Sequence, residues 1–298
     1  MPKKKKLTGL EEFEYDRINW FPGHMNKARK EIEKKIKLVD IVIEVRDARA
    51  PLASGNKQNY EKSVGKPYLI VINKTNFADP DVTKLWQDWF TKQGESFIFV
   101  NALDKASLKK VVDRAREILI AHRLKSNPDQ TPKKSVKMMI LGLPNTGKST
   151  IINKLANRQA TKAAATPGQT KTQIWVKAEK DLEILDTPGV MPPRIDSENH
   201  GMWLSAIHAI PDHVVTPDES ACFIINFLIA KKSEVFKEHY KFDSLDIDLI
   251  EACDHIGKIR GCLMAGGHFN YDQIYKIVLG DFRKGTLGVV SFETPPEN

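Results

Sequence analysis

Between residues 25 and 39 the apolar positions Met25, Ala28, Ile32, Ile36 and Val39 recur at helical spacing, while Lys27, Arg29, Lys30, Lys34, Lys35 and Lys37 fill the gaps. The spacing predicts a helix that buries one stripe and shows a basic face. The rhythm then changes to short, nearly continuous apolar runs at 40–45, 68–72 and 96–100, separated by helical stretches near 80–93 and 106–123. A polar, proline-containing linker at 125–134 leads to another run at 136–141, and runs at 172–177 and 182–185 read as a hairpin closing one edge. Buried strands alternating with helices imply an α/β fold, a mostly parallel sheet with helices on both faces. Further on the strand pattern stops. Thr216-Pro217-Asp218-Glu219 reads as a capping box with proline at the first helical position, opening a helix to about Ala230. Asn270 caps another, whose Ile274, Ile277, Val278 and Phe282 form one face and which stops at Gly285. The pattern predicts a basic arm at 1–19, an α/β domain at 20–198 and a smaller all-helical domain at 199–298.

Charge follows the same division. The chain has 298 residues and a net charge of +8. Residues 1–37 hold 11 basic side chains to 6 acidic, residues 105–162 hold 14 to 3, and residues 199–298 hold 9 to 14. A basic front on an acidic rear points to a polyanion met mainly by the front. Lys3-Lys4-Lys5-Lys6 reads as an arm that touches phosphates without reading sequence. Cys222, Cys253 and Cys262 have no metal-ligand spacing and cannot all pair, which suits reduced thiols in the cytoplasm. The most apolar run, 222–230, is about half the length needed to span a bilayer. The basic N-terminus leads into Glu11, Glu12 and Glu14, so no secretory signal is expected either.

The chemistry centres on Gly142-Leu143-Pro144-Asn145-Thr146-Gly147-Lys148-Ser149-Thr150, between an apolar run and the helical stretch Ile151-Ile152-Asn153-Lys154-Leu155. GxxxxGK[ST] in that setting is a phosphate-binding loop: its glycines let the backbone wrap a phosphate, and the following helix presents free N–H groups. Lys148 is expected to reach the β- and γ-phosphates, and Ser149 a Mg²⁺ ion. About 40 residues on, Asp186-Thr187-Pro188-Gly189 places a carboxylate where a Mg²⁺-linked aspartate sits and the Gly189 N–H where it meets a γ-phosphate. Between the two, Thr166-Pro167-Gly168-Gln169-Thr170 reads as a mobile switch whose Thr170 hydroxyl completes the Mg²⁺ shell, with Thr166 and Thr172 as alternatives.

Base recognition lies upstream. Asn73-Lys74-Thr75-Asn76 resembles the NKxD guanine box of GTPases, and Asn101-Ala102-Leu103 the short loop whose alanine N–H meets the guanine carbonyl. Both precede the phosphate loop instead of following it, so the domain resembles a circularly permuted P-loop GTPase, an arrangement open to compact domains whose termini lie close together. From Trp20 to Phe292 the chain resembles the ribosome biogenesis GTPase A (YlqF/RbgA) family. The resemblance is carried by Trp20-Phe21-Pro22-Gly23-His24-Met25, Asp47-Ala48-Arg49, the phosphate loop, Thr166-Pro167-Gly168, Asp186-Thr187-Pro188-Gly189 and the segment from Ile256 to Met264.

That resemblance implies GTP hydrolysis during maturation of the large ribosomal subunit, stimulated by the ribosome, with GTP, GDP and precursor rRNA as partners and an RNA-binding-like helical domain. It also implies that Asn145 holds a K⁺ ion beside the phosphates and that His24 acts on the attacking water. Val190 follows Gly189, where small GTPases often carry a water-positioning glutamine; the family shares this apolar replacement. Asn76 stands where the family has aspartate, and Asn101 where serine is usual. A module that holds nucleotide without turning it over, with relaxed base specificity, is the alternative. A small-molecule kinase is disfavoured by the base-recognition motifs.

Overall fold

The structure is a computed structural model that describes residues 4–5, 12–13, 23–56, 63, 65–126, 135–156, 174–179, 181–192, 195 and 197–297. It divides into two compact units, Trp20–Arg194 with Val290–Asn298, and Met1–Asn19 with Ile195–Val289.

The sheet unit begins with α1 (Gly23–Lys35), continued by a 3₁₀ turn at Ile36–Leu38. Its predicted stripe, Met25, Ala28, Ile32, Ile36 and Val39, is buried, and Lys27, Lys30, Lys34 and Lys37 are exposed. Six strands follow: β1 (Ile41–Asp47), β2 (Tyr68–Asn73), β3 (Phe97–Phe99), β4 (Val136–Gly142), β5 (Ile174–Glu179) and β6 (Leu182–Asp186). Their order is β3-β2-β1-β4-β6-β5, parallel throughout except for β5, which pairs antiparallel with β6 as the predicted edge hairpin. Successive strand residues face opposite sides. Ile41, Ile43, Val45, Leu69, Val71, Met138, Ile140 and Ile184 pack with Leu108, Val111 and Leu119 of α3 (Lys105–Ser126) and Ile151 and Ile152 of α4 (Lys148–Leu155). On the other side Phe90 of α2 (Pro80–Lys92) meets Phe97 and Phe99, with ring centroids 5.4 and 6.4 Å apart. Every residue of β1 is buried, as a central parallel strand covered on both faces requires.

The chain runs outward from β1 through β2 to β3, then returns to lay β4 against the opposite side of β1. Such a reversal opens a crevice at the carboxyl ends of the two central strands, where ligands of open α/β sheets bind.

The helical unit holds α5 (Glu198–Ala206), α6 (Pro217–Ala230), α7 (Glu234–Tyr240), α8 (Leu249–Arg260) and α9 (Tyr271–Lys284). The predicted capping box is formed: the Thr216 N–H donates to the Glu219 carboxylate at 2.9 Å. Asn270 accepts from the Gln273 N–H at 3.1 Å, and Gly285, with φ 80°, closes α9 in the left-handed region.

The helical domain does not run to residue 298, as the pattern at 199–298 predicts. After Val289 the chain returns to the sheet unit, where Val290 N–H donates to the Phe77 carbonyl and Phe292 N–H to that of Arg49, each at 2.8 Å. An extended tail has backbone groups to satisfy, and these find partners at the sheet rather than among the helices.

Candidate nucleotide site

Five motifs read from the sequence meet at one end of the sheet. Asp47 ends β1, Asn73 ends β2, Asn101 lies just beyond β3, Gly142 ends β4 and Asp186 ends β6. Parallel strands put all of these carboxyl ends on the same edge, which is why motifs scattered along the sequence converge.

The phosphate loop leaves β4 at Gly142 in a backbone conformation, φ 144°, that side chains avoid; a Cβ there would lie 2.3 Å from the Val45 carbonyl oxygen. At Gly147, φ 103°, a Cβ would lie 2.2 Å from Asn73 Nδ2. Asn145 takes the left-handed region with φ 57°. Thr146 is buried and donates its hydroxyl to the Leu143 carbonyl at 3.0 Å. Lys148, in the first turn of α4, is buried too, and its Nζ donates to the Leu143 carbonyl at 2.7 Å. Burial lowers its pKa to about 8, against the pull of Asp186. Ser149 and Thr150 follow it on the helix, both half-buried.

Asp186 is buried, and neither carboxylate oxygen has a hydrogen-bond partner among the described residues. Burial raises its pKa to about 6, opposed by Lys148. A buried carboxylate with both oxygens unsatisfied is costly unless a cation or donor completes it. Asp186 and Ser149 therefore suit a hard, oxygen-seeking cation such as Mg²⁺. Gly189 passes so close to the phosphate loop that a Cβ would meet Pro144 N at 2.7 Å. Val190 is buried, and its N–H donates to the Gly142 carbonyl at 3.4 Å.

On the base side, Asn73 joins two loops. Its Nδ2 donates to the Thr146 carbonyl and its Oδ1 accepts from the Ala102 N–H, each at 2.9 Å. Lys74 adopts φ 65° and reaches back to Asp47, Nζ to Oδ2 2.9 Å. Arg49 holds the same carboxylate through Nε at 2.9 Å and Nη2 at 2.8 Å. Burial alone would raise the Asp47 pKa, but the two cations outweigh it and hold the group well below the usual carboxylate range. Thr75 and Asn76 form a 3₁₀ turn with Phe77, and Asn76 is exposed on it. Asp79 caps α2, its Oδ1 accepting from the Asp81 and Val82 N–H groups at 2.9 and 3.3 Å. Asn101 closes its own turn by accepting from the Leu103 N–H at 3.0 Å.

The Asp47, Arg49 and Lys74 cluster has no local sequence signal beyond the Asp47-Ala48-Arg49 motif. His24 sits in α1 with a side chain outside the described ones, and Thr166, Thr170 and Thr172 also lie outside the described residues.

Residues 137–255 match the model of a family described as "50S ribosome-binding GTPase". Over 278 residues the chain is 39% identical to ribosome biogenesis GTPase A of Bacillus pumilus, covering 93% of this chain and 99% of that one. This chain belongs to the ribosome biogenesis GTPase A family. The Thermotoga maritima protein of the same name is 32% identical, with 94% of this chain and 95% of that protein aligned. The GNP-bound crystal structure of YlqF from T. maritima superposes with a TM-score of 0.61 at 28% identity, covering 91% of this chain and all of that one. Its GDP-bound form gives 0.59 at 27% identity, over 90% and 100% of the two chains. Membership makes the α/β unit a circularly permuted GTPase domain and the chain a GTP-hydrolysing factor of ribosome assembly. No helix among the described residues is long and apolar enough to cross a membrane.

Proposed function

We propose that this chain binds GTP across the carboxyl ends of β1, β2, β4 and β6, hydrolyses it, and uses nucleotide state to set its affinity for rRNA in the maturing large subunit. Asp186 carries this reading most directly. It is a buried carboxylate with no hydrogen-bond partner among the described residues, beside the lysine of a phosphate loop that Asn73 joins to the base loops. Lys148 faces the β- and γ-phosphates, while the backbone N–H groups of Asn145 to Thr150 surround them. Ser149, Asp186 (directly or through water) and Thr170 would hold Mg²⁺, which would neutralise phosphate charge. The Ala102 N–H is tied up by Asn73, so this loop acts on the base by position, with Asn76 reading its edge.

Val190 is apolar and buried, so the residue after Gly189 does not orient the attacking water. His24 takes that part, and Asn145 would hold a K⁺ ion, which would supply positive charge to stabilise the charge that develops in the transition state. Hydrolysis then runs faster in KCl than in NaCl at equal ionic strength; equal rates would leave Asn145 a loop-shaping residue. The exposed lysines of α1 supply the phosphate contacts to rRNA in the cytoplasm.

Single-turnover hydrolysis with and without large ribosomal subunits tests the whole. Stimulation by subunits supports it; stable GTP binding without turnover in either condition favours the non-hydrolysing module instead.

A further inference from the structure

The segment after α9 packs back on the sheet unit. Val290, Phe292 and Glu293 are buried against the sheet unit, although 241 residues separate Glu293 from Leu52. Val290 N–H donates to the Phe77 carbonyl and Phe292 N–H to the Arg49 carbonyl, both at 2.8 Å. Ser291 Oγ accepts from the Asp79 N–H at 3.2 Å, and the Glu293 carbonyl from Trp86 Nε1 at 3.2 Å. The Glu293 carboxylate accepts from the N–H groups of Leu52 and, at 3.2 Å, Ala53. These contacts reach two loops at once: the turn carrying Lys74 and Asn76, and the loop that follows Asp47.

From Glu293 the contacts continue inward. Next to Ala53, Ser54 Oγ accepts from the Asp47 N–H at 2.8 Å and donates to the Ala50 carbonyl at 2.6 Å. Asp47 in turn holds Lys74 and Arg49, and the Arg49 guanidinium lies 5.5 Å from the centre of the Phe77 ring. Asn76 is therefore bracketed along the backbone by Lys74, fixed through Asp47, and Phe77, fixed by the tail.

We propose that the tail Val290–Glu293 is a strap that sets the shape of the base pocket, with Glu293 as a positioning residue for base recognition. The proposal rests on the reading of Asn73-Lys74-Thr75-Asn76 as the base-recognition turn. Because the tail is reached only through residues 195–289, the helical unit is tethered at both ends to the nucleotide machinery, after Gly189 on one side and at the base turn on the other. Deleting the helical unit together with the tail thus removes a part of base recognition as well.

The test uses full-length protein and compares affinities for GDP and ADP, which share phosphates and differ at the base. Glu293→Ala lowers the GDP-to-ADP preference about tenfold by weakening GDP alone, the effect of losing two hydrogen bonds that hold a loop. Glu293→Gln, whose amide oxygen still accepts from Leu52 and Ala53, keeps the preference within about twofold of the parent. Ser291→Ala, which removes only the acceptor for Asp79, lowers it about threefold and serves if Glu293→Ala fails to fold. Hydrogen exchange at the Leu52 and Ala53 amides reports the strap directly. Faster exchange there with an unchanged GDP-to-ADP preference overturns the proposal, as does an equal loss of GDP and ADP affinity. Lys74→Ala separates the two readings: if it too leaves the preference intact, the assignment of the base turn falls, whereas loss in Lys74→Ala but not in the tail variants sinks the strap alone.

Discussion

Among the described residues, every buried charged side chain lies in the sheet unit: Glu44, Arg46, Asp47, Arg49, Lys148, Asp186 and Glu293. The buried polar side chains of the helical unit are Ser205 and Ser220, which bond to each other. The helical unit stands on apolar faces such as Ile224, Ile225 and Leu228 of α6 and Ile274, Val278 and Phe282 of α9, and its charged pairs, Arg260 with Asp281 and Arg283 with Asp212, keep part of their surface in water. The sheet unit takes charge out of water, where attraction between ions is strong but an unpaired ion is costly. Asp47, Lys148 and Asp186 among them lie at the carboxyl ends of the strands, where the proposed nucleotide site is. Loss of one fully buried charge should therefore cost more in the sheet unit than loss of one cap contact in the helical unit.

The largest expected effect strikes the buried cluster. Asp47→Asn leaves Arg49 and Lys74 facing each other without a counter-charge, and should cost about 3–5 kcal/mol in urea unfolding of the sheet unit. A loss below about 1 kcal/mol would mean that buried charge matters no more here than among the helices.

The next concerns pH. Burial outweighs the two N–H donors and the nearby Arg46, raising the Glu293 pKa from 4.5 to about 7. The folded state then binds the proton more tightly than the unfolded chain. Its contribution is fully present below about pH 4.5 and is lost as pH rises through about 7, on the order of 3 kcal/mol in total. The check is the unfolding free energy of the parent minus that of Glu293→Gln across this window. A flat difference would take Glu293 out of the buried set.

Lys148→Ala should weaken GTP binding about a hundredfold, the loss of a buried charge-assisted contact, with little change in the fold. Calorimetric titration of the folded variant with GTP measures it, and unchanged affinity would reject this loop as the phosphate site. Asn76→Asp should tighten GTP binding by about tenfold to a hundredfold, because an acceptor-only carboxylate suits the two guanine donors better than an amide. The parent should also distinguish GTP from XTP poorly. Parent affinity equal to that of the variant, together with rejection of XTP, would mean that a neighbour such as Asp79, which caps α2 through Oδ1 alone, supplies the carboxylate.

The smallest effect belongs to the helical unit. Thr216→Ala removes a helix cap and should cost about 1 kcal/mol of its stability, read from thermal unfolding. A cost near that of Asp47→Asn would erase the contrast between the units.

Much of this molecule was legible in one dimension. The stripe of α1, the alternation of strands and helices, the capping box at Thr216 and the cap at Asn270 are set by periodicity and turn chemistry acting over a few residues, so their signals are local. The phosphate loop and Asp186 were legible for the same reason: each is a strand end whose short motif states its own geometry. Lys148 and Asp186 then came together because parallel neighbours β4 and β6 end on one edge.

Side-chain pairing across the sheet had no such signal. That Asn73 would join Thr146 to Ala102, or that Lys74 would settle on Asp47, depends on which strands lie side by side, and the order β3-β2-β1-β4-β6-β5 is a property of the packed sheet. The tail was misassigned because Ser291-Phe292-Glu293-Thr294-Pro295-Pro296 follows a helical domain and carries no period of its own. Only the folded sheet unit offers the carbonyls of Phe77 and Arg49 and the amides of Leu52 and Ala53 that capture it. Periodicity and short motifs sufficed for the elements and the phosphate loop; packing chose which distant charges and amides meet there, because burial makes a polar group stable only where a partner already waits.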